Sequence, residues 1–368
     1  MSDRVDRGGS QDGAPGAEGP GRGDGRRGRD DAGERASMRK VAERADVAIS
    51  SVSRVLSGHP DVSARMRERV LTAVAELEYE PDFLAQSLRR GQTLSIGFVL
   101  ADISNPLLAD IVHGAESVLR RAGYSLLLMN SESEPELDVR SMRFFQTRRV
   151  DGMLLSIVEE TDEGVLEALR NVKVPIVLVD REVDEAIAAS SVHNDHAAGM
   201  ADATSHLLAL GHRRIALIGG SRATLPGRAR EEGLRKAVEA HPEDVAVRVL
   251  DGPFSPQHGE EATRQLLDTP SPPTAIICGS NQLLVGCLAV LNARGIAVGR
   301  DMSLVTCDDV PASLLYQPPI ASIARDTVGL GRSAAELLLR RLREDGPAER
   351  IVLPTTFIAR ASCAPPPA

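Results

Sequence analysis

The spacing of hydrophobic positions changes at residue 94 and divides the chain into two regions. Between residues 37 and 78, apolar side chains recur every three or four positions, which is typical of helices that pack on one face. From Leu94 onward, short apolar runs alternate with amphipathic helical stretches. Such runs are typical of strands buried on both faces, and their alternation with helices predicts a parallel sheet covered on both sides.

Seven apolar runs are predicted to form strands, at residues 95–100, 125–129, 152–155, 176–179, 215–218, 275–278 and 304–307. A single sheet rarely accommodates about 270 residues, so we predict two similar halves with a cleft between them. Ligands of such folds bind at the carboxyl ends of the strands, facing that cleft. The predicted core spans 93–363, with one half formed by 93–190 and 324–350 and the other by 191–323 and 351–363.

Three short helices are predicted within residues 37–81. The first begins after Ser37 and the third after Ser63, and both serines can act as N-caps. The second helix is predicted over 48–56, with Val52 on its inward face. Two helices joined by a turn of three or four residues form a helix-turn-helix, whose second helix fits the major groove of DNA.

Side chains outside the predicted helical core are candidates for contacts with duplex DNA. The outer face of the second helix carries Ile49, Ser50, Ser53 and Arg54. Arg54 could pair with a guanine or a phosphate, and Ile49 could pack on a thymine methyl group. Contacts with phosphates, which set register rather than sequence, are predicted for Ser37, Arg39, Ser51 and Ser63. Spacing alone leaves open an ordinary α domain with three solvated helices.

The head and the segment after it carry an ordered series of motifs, at residues 41–45, 52–58, 62–63, 67–70, 75–82 and 85–89. This series resembles the DNA-binding head and hinge of the LacI–GalR family of bacterial transcriptional regulators. In that family, the hinge helices of two chains pair and a leucine wedges into the minor groove. The resemblance implies a hinge helix over 82–92, with Tyr79 and Leu88 among the DNA contacts. It also implies a homodimer on a pseudo-palindromic operator.

Four positions depart from the family pattern. Asp46 stands in the turn where the family usually has glycine, and aspartate tolerates left-handed backbone better than most residues. Lys40 stands where an acidic residue usually completes a capping arrangement, so the first helix is expected to be less well capped. In the hinge, Asp82 replaces asparagine and Gln86 replaces a common arginine. We expect the turn to survive Asp46 at modest cost, and the Asp82 carboxylate near phosphate to weaken DNA binding or to demand a cation.

The resemblance continues through the core, at residues 102–106, 150–152, 177–181, 206–216, 227–234 and 308–309. It implies a core similar to periplasmic sugar-binding proteins, with a sugar, a sugar phosphate or a nucleobase as the usual effector. By position, it implies effector contacts at Leu107, Leu108, Thr224, Arg230, Asn281 and Asp308.

Arg230 and Asp308 are the strongest of these candidates on chemical grounds. Arg230 offers a rigid fork of donors, and Asp308 follows a buried strand where it could accept paired hydroxyls. The alternative for both residues is a salt bridge between the halves. Leu107 and Leu108 stand where aromatic residues often stack on a sugar ring, so ring stacking is predicted to be lost and the effector stays open.

Composition narrows the classes of function. The net charge is −9, so contact with nucleic acid must come from a local basic surface. Tryptophan is absent and aromatic residues are scarce, which disfavours single-strand binders that stack bases. Residues 1–36 are rich in Gly, Arg and Asp and are predicted to form a disordered tail. The tail's Arg26, Arg27 and Arg29 could add salt-sensitive affinity for DNA.

The other features favour no metal, membrane or catalytic role. The four cysteines lack C-x-x-C spacing, so they are interpreted as buried residues of a reducing compartment rather than zinc ligands. No apolar run reaches the roughly 18 residues of a membrane span, and no secretory signal is present, which predicts a cytoplasmic protein. Residues 329–334 superficially resemble a dinucleotide fingerprint, but the third glycine is missing and no strand is predicted to precede the stretch closely. Adjacent Asp308 and Asp309 should point to opposite faces, which disfavours an acid–base pair.

The favoured function is a DNA-binding transcriptional repressor. It would bind a double-stranded operator as a homodimer and a small molecule in the core cleft, with no cofactor and no membrane partner. The alternative is a periplasmic-type binding protein without DNA activity, which would leave residues 37–91 unexplained. An enzyme is the least favoured class.

Overall fold

The computed structural model describes residues 37–57, 59–79, 92–344 and 346–367. They fall into two units, a head before residue 82 and a core after it. The predicted tail (1–36) lies outside the described residues. So does the predicted hinge with Leu88, apart from its last position, Gln92.

The head contains three helices, α1 (Met38–Arg44), α2 (Ile49–Leu56) and α3 (Ala64–Glu76). Ser37 and Ser63 cap α1 and α3 as predicted, because their hydroxyls accept hydrogen bonds from the backbone N–H groups of Lys40 and Met66. The three helices pack around a small buried cluster that includes Val41, Val52, Val55, Val70 and Ala73.

The turn between α1 and α2 is built around Asp46, whose φ is +49°. The left-handed backbone expected for this residue is therefore confirmed. Arg69 of α3 stabilises the turn, since its Nη2 donates to the carbonyl oxygens of Ala45 (2.6 Å) and Asp46 (2.8 Å) and to Asp46 Oδ2 (3.1 Å). These bonds satisfy carbonyls at the end of α1 that have no partner within the helix.

The described part of the core contains twelve strands in two sheets. The first sheet has the order β11-β5-β4-β3-β1-β2, with bounds β1 (Ser95–Leu100), β2 (Ser125–Asn130), β3 (Gly152–Leu155), β4 (Ile176–Val179), β5 (Ser190–Asn194) and β11 (Arg350–Leu353). The second has the order β12-β10-β9-β8-β6-β7, with bounds β6 (Arg214–Ile218), β7 (Ala246–Leu250), β8 (Ala275–Cys278), β9 (Ser303–Cys307), β10 (Ala321–Arg325) and β12 (Thr355–Ile358). All pairs are parallel except β10 with β12. The same strand order in both sheets confirms the prediction of two similar halves.

Helices cover both sheets. The first half contains α4 (Pro106–Arg121), α5 (Pro135–Thr147), α6 (Glu163–Asn171) and α12 (Thr327–Arg341). The second contains α7 (His196–Ala209), α8 (Leu225–Glu239), α9 (Pro256–Leu267), α10 (Asn281–Ala293) and α11 (Pro311–Leu315). Side chains of β1 alternate between two apolar clusters, since Ile96 and Phe98 pack on one face and Val99 on the other. None of the helices in these stretches is long and apolar enough to cross a membrane.

The predicted boundaries between the halves were wrong at three places. Residues 191–194 belong to β5 and residues 351–353 to β11, so both segments lie in the first sheet rather than the second. Residues 324–325 end β10 and therefore lie in the second sheet. Strand β5 reads Ser-Ser-Val-His-Asn, which gives no apolar run, and this explains why the sequence pattern did not reveal it. The chain crosses between the halves after Asn194, Arg325 and Leu353.

The glycine-containing stretch 329–334 lies inside α12. Contrary to the prediction, a strand does precede it closely, because β10 ends at Arg325 and α12 begins at Thr327. Gly331 allows α12 to approach α4, since a Cβ atom there would lie 1.9 Å from the carbonyl oxygen of Ile111. Gly114 of α4 makes the reciprocal approach, 2.1 Å from the carbonyl oxygen of Val328. These glycines therefore serve helix packing.

Candidate functional site

The outer face of α2 presents the side chains predicted to contact base edges. Ile49 is 49% exposed, and Ser50 and Arg54 are also exposed, whereas Ser53 is half-buried. The opposite face of the helix is buried through Val52. The helix therefore presents Ile49, Ser50 and Arg54 away from the core of the head.

The residues predicted to contact phosphates also lie on the surface of the head. Ser37, Arg39 and Ser63 are exposed and Ser51 is half-buried. Tyr79 is only 7% exposed and packs into the core of the head. The preceding residue, Glu78, has left-handed backbone with φ of +45°. The contact of Tyr79 with DNA stays a prediction.

A cleft of about 920 Å³ lies between the two halves of the core. It is bordered by the N-termini of α4, α8, α9 and α10 and by residues that follow strands β4 and β9. The structure brings all six predicted effector contacts to this cleft, namely Leu107, Leu108, Thr224, Arg230, Asn281 and Asp308.

The apolar part of the cleft includes an aromatic side chain that the sequence interpretation missed. Leu107 and Leu108 form one wall, and Phe254, in the loop before α9, lines the cleft as well. The Phe254 ring lies against Gly220, where a Cβ atom would be 1.8 Å from the ring, and 5.8 Å from the Arg230 guanidinium. The cleft therefore has an aromatic face from another element, while the loss of stacking at Leu107 and Leu108 stays a prediction.

Thr224 has a structural role at the start of α8. Its hydroxyl donates to the carbonyl oxygen of Ser221 (2.9 Å) and accepts from the backbone N–H of Gly227 (3.4 Å). Because this capping arrangement uses the only hydroxyl hydrogen, Thr224 borders the cleft without a hydrogen left to donate to a ligand.

Asn281 connects the halves at the mouth of the cleft. Its Nδ2 donates to Asn105 Oδ1 (3.1 Å), and next to it Gln282 Nε2 donates to Asp102 Oδ2 (3.3 Å). Asn281 Oδ1 is buried and has no hydrogen-bond partner within the described residues. A buried acceptor without a partner is costly, so a ligand that donates a hydrogen bond would stabilise this site.

Arg230 is 4% exposed and is held by two fixed partners. Its Nη1 donates to the carbonyl oxygen of Gly279 (2.6 Å), and its Nη2 lies 3.4 Å from His196 Nδ1. His196 Nε2 lies 2.8 Å from Asp180 Oδ1. Burial lowers the pKa of His196 to about 4, so the neutral ring accepts from Arg230 and donates to Asp180 at neutral pH.

The salt bridge between the halves involves Arg325, which the sequence interpretation did not single out. Arg325 Nη1 lies 2.6 Å from Asp180 Oδ2 in the first half, and its Nε lies 2.6 Å from Asp308 Oδ1 in the second. Burial opposes ionisation of Asp180, yet His196 and Arg325 hold its pKa well below the usual range. Asp308 therefore belongs to an ion pair, but the partner is Arg325 and not Arg230.

Glu160 forms a second connection between the halves. Its Oε1 accepts from the backbone N–H of Leu225 (2.7 Å), its Oε2 pairs with Arg228 (2.5 Å), and its N–H donates to the carbonyl oxygen of Ala223 (3.0 Å). The carboxylate thus sits at the N-terminus of α8, where negative charge is favoured. The sequence offered no signal for this contact, since Glu160 lies in an irregular loop.

Asp138 of α5 is buried beneath the first-half wall of the cleft. Its Oδ2 accepts from the backbone N–H of Val158 (2.7 Å), while Oδ1 has no partner in the described part of the chain. Burial raises the pKa of Asp138 to about 6. Ionisation above that pH leaves a poorly compensated charge inside the protein, so this group destabilises the fold at neutral pH.

Replacing Asp138 by asparagine should remove part of the pH dependence of stability. The folded pKa exceeds the unfolded value, so the native chain loses stability between about pH 4 and pH 6, by roughly 3 kcal/mol at most. Urea unfolding of Asp138→Asn and the native chain should therefore show a difference that favours the variant more at pH 7 than at pH 4.5. Exposed Asp202→Asn is the control. A difference that is constant with pH would contradict the assignment.

Comparisons with known proteins agree with both units. Residues 37–82 match the model of bacterial regulatory proteins of the lacI family, and residues 204–363 match the periplasmic binding protein-like domain. The HTH-type transcriptional repressor PurR of Haemophilus influenzae (strain PittEE) is 34% identical over 310 residues, which cover 83% of this chain and 91% of PurR. PurR of Actinobacillus pleuropneumoniae (serotype 3, strain JL03) is 32% identical, covering 84% and 92%.

Solved structures give the same result. A lac repressor dimer bound to operator and the anti-inducer ONPF has a TM-score of 0.81 and 28% identity, covering 90% of this chain and 100% of that chain. The transcriptional regulator CelR in complex with cellobiose has a TM-score of 0.67 and 30% identity, covering 89% and 100%. The chain therefore belongs to the LacI–GalR family and is a DNA-binding transcriptional repressor under the control of a small-molecule effector.

Proposed function

We propose that two copies of the chain bind a pseudo-palindromic operator by placing α2 in the major groove. The observation that carries this proposal is the sidedness of α2, with Ile49, Ser50 and Arg54 exposed and Val52 buried. A helix with that division can lie against base edges while its other face holds the head together. Two-fold symmetry of a dimer matches the symmetry of two half-sites.

The effector proposed for the cleft is a sugar or a sugar derivative. Asn281 Oδ1 and the Asp308 carboxylate can accept hydrogen bonds from hydroxyls, and Phe254 offers an aromatic ring to an apolar sugar face. Arg230 adds a donor that is already fixed in place. CelR was solved with cellobiose and the Pseudomonas putida regulator Cra with fructose 1-phosphate, which supports this class of ligand.

The effector is proposed to act by changing the angle between the halves. The chain crosses between them three times, so any bending at these crossovers moves one half relative to the other. An effector can shift operator affinity only by as much as its own affinities for the two arrangements differ. An effector that binds more tightly to the DNA-binding arrangement of the halves strengthens the operator complex. One that binds more tightly to the other arrangement releases the operator.

The cleft is proposed to bind its ligand without catalysis, in a protein that acts on DNA in the cytoplasm. Adjacent Asp308 and Asp309 turn to separate partners, Arg325 and Arg360, which disfavours a paired acid and base at this position. The curated relatives above are transcriptional repressors, which supports a regulatory role.

Replacing Arg54 by alanine should weaken specific operator binding about 5- to 150-fold, since a base-reading arginine contributes roughly 1–3 kcal/mol. A gel shift on DNA from upstream of the protein's own coding region, at fixed salt, would measure this loss. Arg140→Ala removes the same charge from an exposed position on α5 and should leave affinity unchanged.

Leu88→Ala, in the predicted hinge, should also lose specific binding. The absence of a specific shift with the native chain would favour a sensor without DNA activity.

The effector can be sought by thermal shift with sugars, sugar acids and nucleosides. A compound that binds the native state raises the unfolding midpoint, and the rise grows with the logarithm of its concentration above the dissociation constant. Addition of the same compound to the gel shift then shows whether it weakens or strengthens the operator complex.

A further inference from the structure

Two carboxylates occupy equivalent positions in the two halves. Strands β4 and β9 hold the same place in their sheets, and each is followed directly by an aspartate, Asp180 and Asp308. Both aspartates have left-handed backbone, with φ of +56° and +75°. Non-glycine residues adopt this conformation at an energetic cost, and it persists where surrounding contacts hold it. The two halves thus contribute a matched pair of strained, buried acids at the base of the cleft.

Arg325 joins these two acids, whereas the residue at the equivalent position of the first half, Asn194, carries no charge and cannot do so. Arg325 ends β10 and Asn194 ends β5, and each is followed by an aspartate that caps the next helix. Asn194 is 2% exposed, and neither polar atom of its side chain has a partner among the residues that the structure describes. Both halves therefore have the aspartate, but only the second half has the arginine. This one arginine pairs with both carboxylates.

Arginines compensate both acids of the buried cluster. Asp180 and Asp308 carry two negative charges, Arg325, Arg230 and Arg181 carry three positive charges, and His196 is neutral. A further ionisable group in this environment is Cys307 beside Asp308. Arg181 donates to the carbonyl oxygens of Ile157 and Asp180. A ligand that enters the cleft meets no uncompensated carboxylate in this cluster.

We propose that Arg325 is a positioning residue that joins Asp180 and Asp308 across the two halves and thereby holds the cleft closed without a cation from the ligand. This inference rests on the proposed function of the cleft as the effector site. The chain supplies from its own sequence the cation that two facing acids would otherwise require from a ligand. The ion pair can therefore form without the effector, which then shifts the equilibrium between the two arrangements of the halves.

The closure can be measured without an effector. Spin labels at Glu132→Cys and Gln257→Cys place one probe on each rim of the cleft, at exposed positions. In the otherwise native chain, pulsed dipolar spectroscopy should show one narrow, short distance distribution. Arg325→Gln should give a longer and broader distribution, because the inter-half ion pair is lost. The unsubstituted chain, labelled in parallel, controls for reaction at half-buried Cys363.

A pH profile separates charge balance from simple packing. Without the Arg325 cation, Asp180 and Asp308 should bind protons more tightly in the folded chain than in the unfolded chain. The deficit in unfolding midpoint of Arg325→Gln should therefore shrink as the pH falls from 8 to 5.5. The double variant Asp180→Asn, Arg325→Gln retains only Asp308 of the two acids, so it should show a smaller deficit and a weaker pH dependence than Arg325→Gln alone. Arg325→Lys should restore the unfolding midpoint only partly, because a lysine ammonium lacks the planar, forked donor geometry of the arginine guanidinium.

Three results would overturn the inference. The first is an unchanged distance distribution in Arg325→Gln. The second is a midpoint deficit that is the same at both pH values and is not relieved by Asp180→Asn. The third is a cationic compound that raises the native midpoint more than its uncharged parent. The first two measurements use neither effector nor DNA, so their failure would leave the gel shift and the ligand screen to decide the proposed function independently.

Discussion

Replacing Arg230 by alanine should abolish the response to the effector while leaving the operator complex intact. Arg230 is buried at the cleft, and its contacts with Gly279 and His196 fix the direction of its guanidinium. Alanine removes this fork of donors and leaves a hole beside the Phe254 ring. A ligand loses both a charge-assisted hydrogen bond and packing, and the two losses together should reduce its affinity by about 100-fold or more.

The measurement uses the compound that raises the midpoint of the native chain in the thermal-shift screen. In Arg230→Ala, that compound should produce no shift at the same concentration, and the gel shift should become insensitive to it. Arg235→Ala is the matched control, since Arg235 lies on the same helix but is exposed and pairs with Glu231. A native response in Arg230→Ala would remove Arg230 from the site.

Replacing Val52 by aspartate should eliminate operator binding altogether. Val52 is fully buried at the centre of the head, among Val41, Val55, Val70 and Ala73. A carboxylate there has no partner, and burying it costs several kcal/mol. A head of about 45 residues has little stability to lose, so it should unfold, while the core, as a separate unit, keeps its structure.

A gel shift and a ligand-dependent thermal shift on the same preparation test this expectation. The variant should give no specific operator complex, yet the core should still unfold cooperatively and still respond to the effector. Leu71→Asp introduces the same charge at an exposed position of α3 and should retain the operator complex. If Val52→Asp still bound operator specifically, the head would not be organised as described.

The elements with a strong local pattern could be predicted from the sequence. The seven apolar runs all fall within observed strands, and Ser37 and Ser63 cap the helices they were predicted to cap. Polar or short strands could not be found in this way, because β5 and β11 are placed by pairing with β4 and with each other rather than by a long apolar run of their own. The boundaries of the halves depended on these strands.

The site was predictable only where the family resemblance supplied positions. Arg230, Asn281 and Asp308 do line the cleft, but their partners depend on distant residues. Arg325 and Asp180 are 145 positions apart, and no local spacing relates them. One signal was available, since residues 191–195 (Ser-Val-His-Asn-Asp) and 322–326 (Ser-Ile-Ala-Arg-Asp) follow the same pattern in the two halves. An alignment of one half on the other would have placed Arg325 opposite Asn194.

The last two strands are separated by a single residue, Pro354, yet they complete different sheets. Strand β11 forms an edge of the first sheet and β12 an edge of the second. During synthesis, a nascent chain that has reached residue 349 still lacks an outer strand in both halves. Both halves therefore receive their last strand within the same nine residues, and a premature stop codon just before this stretch would remove an edge strand from each.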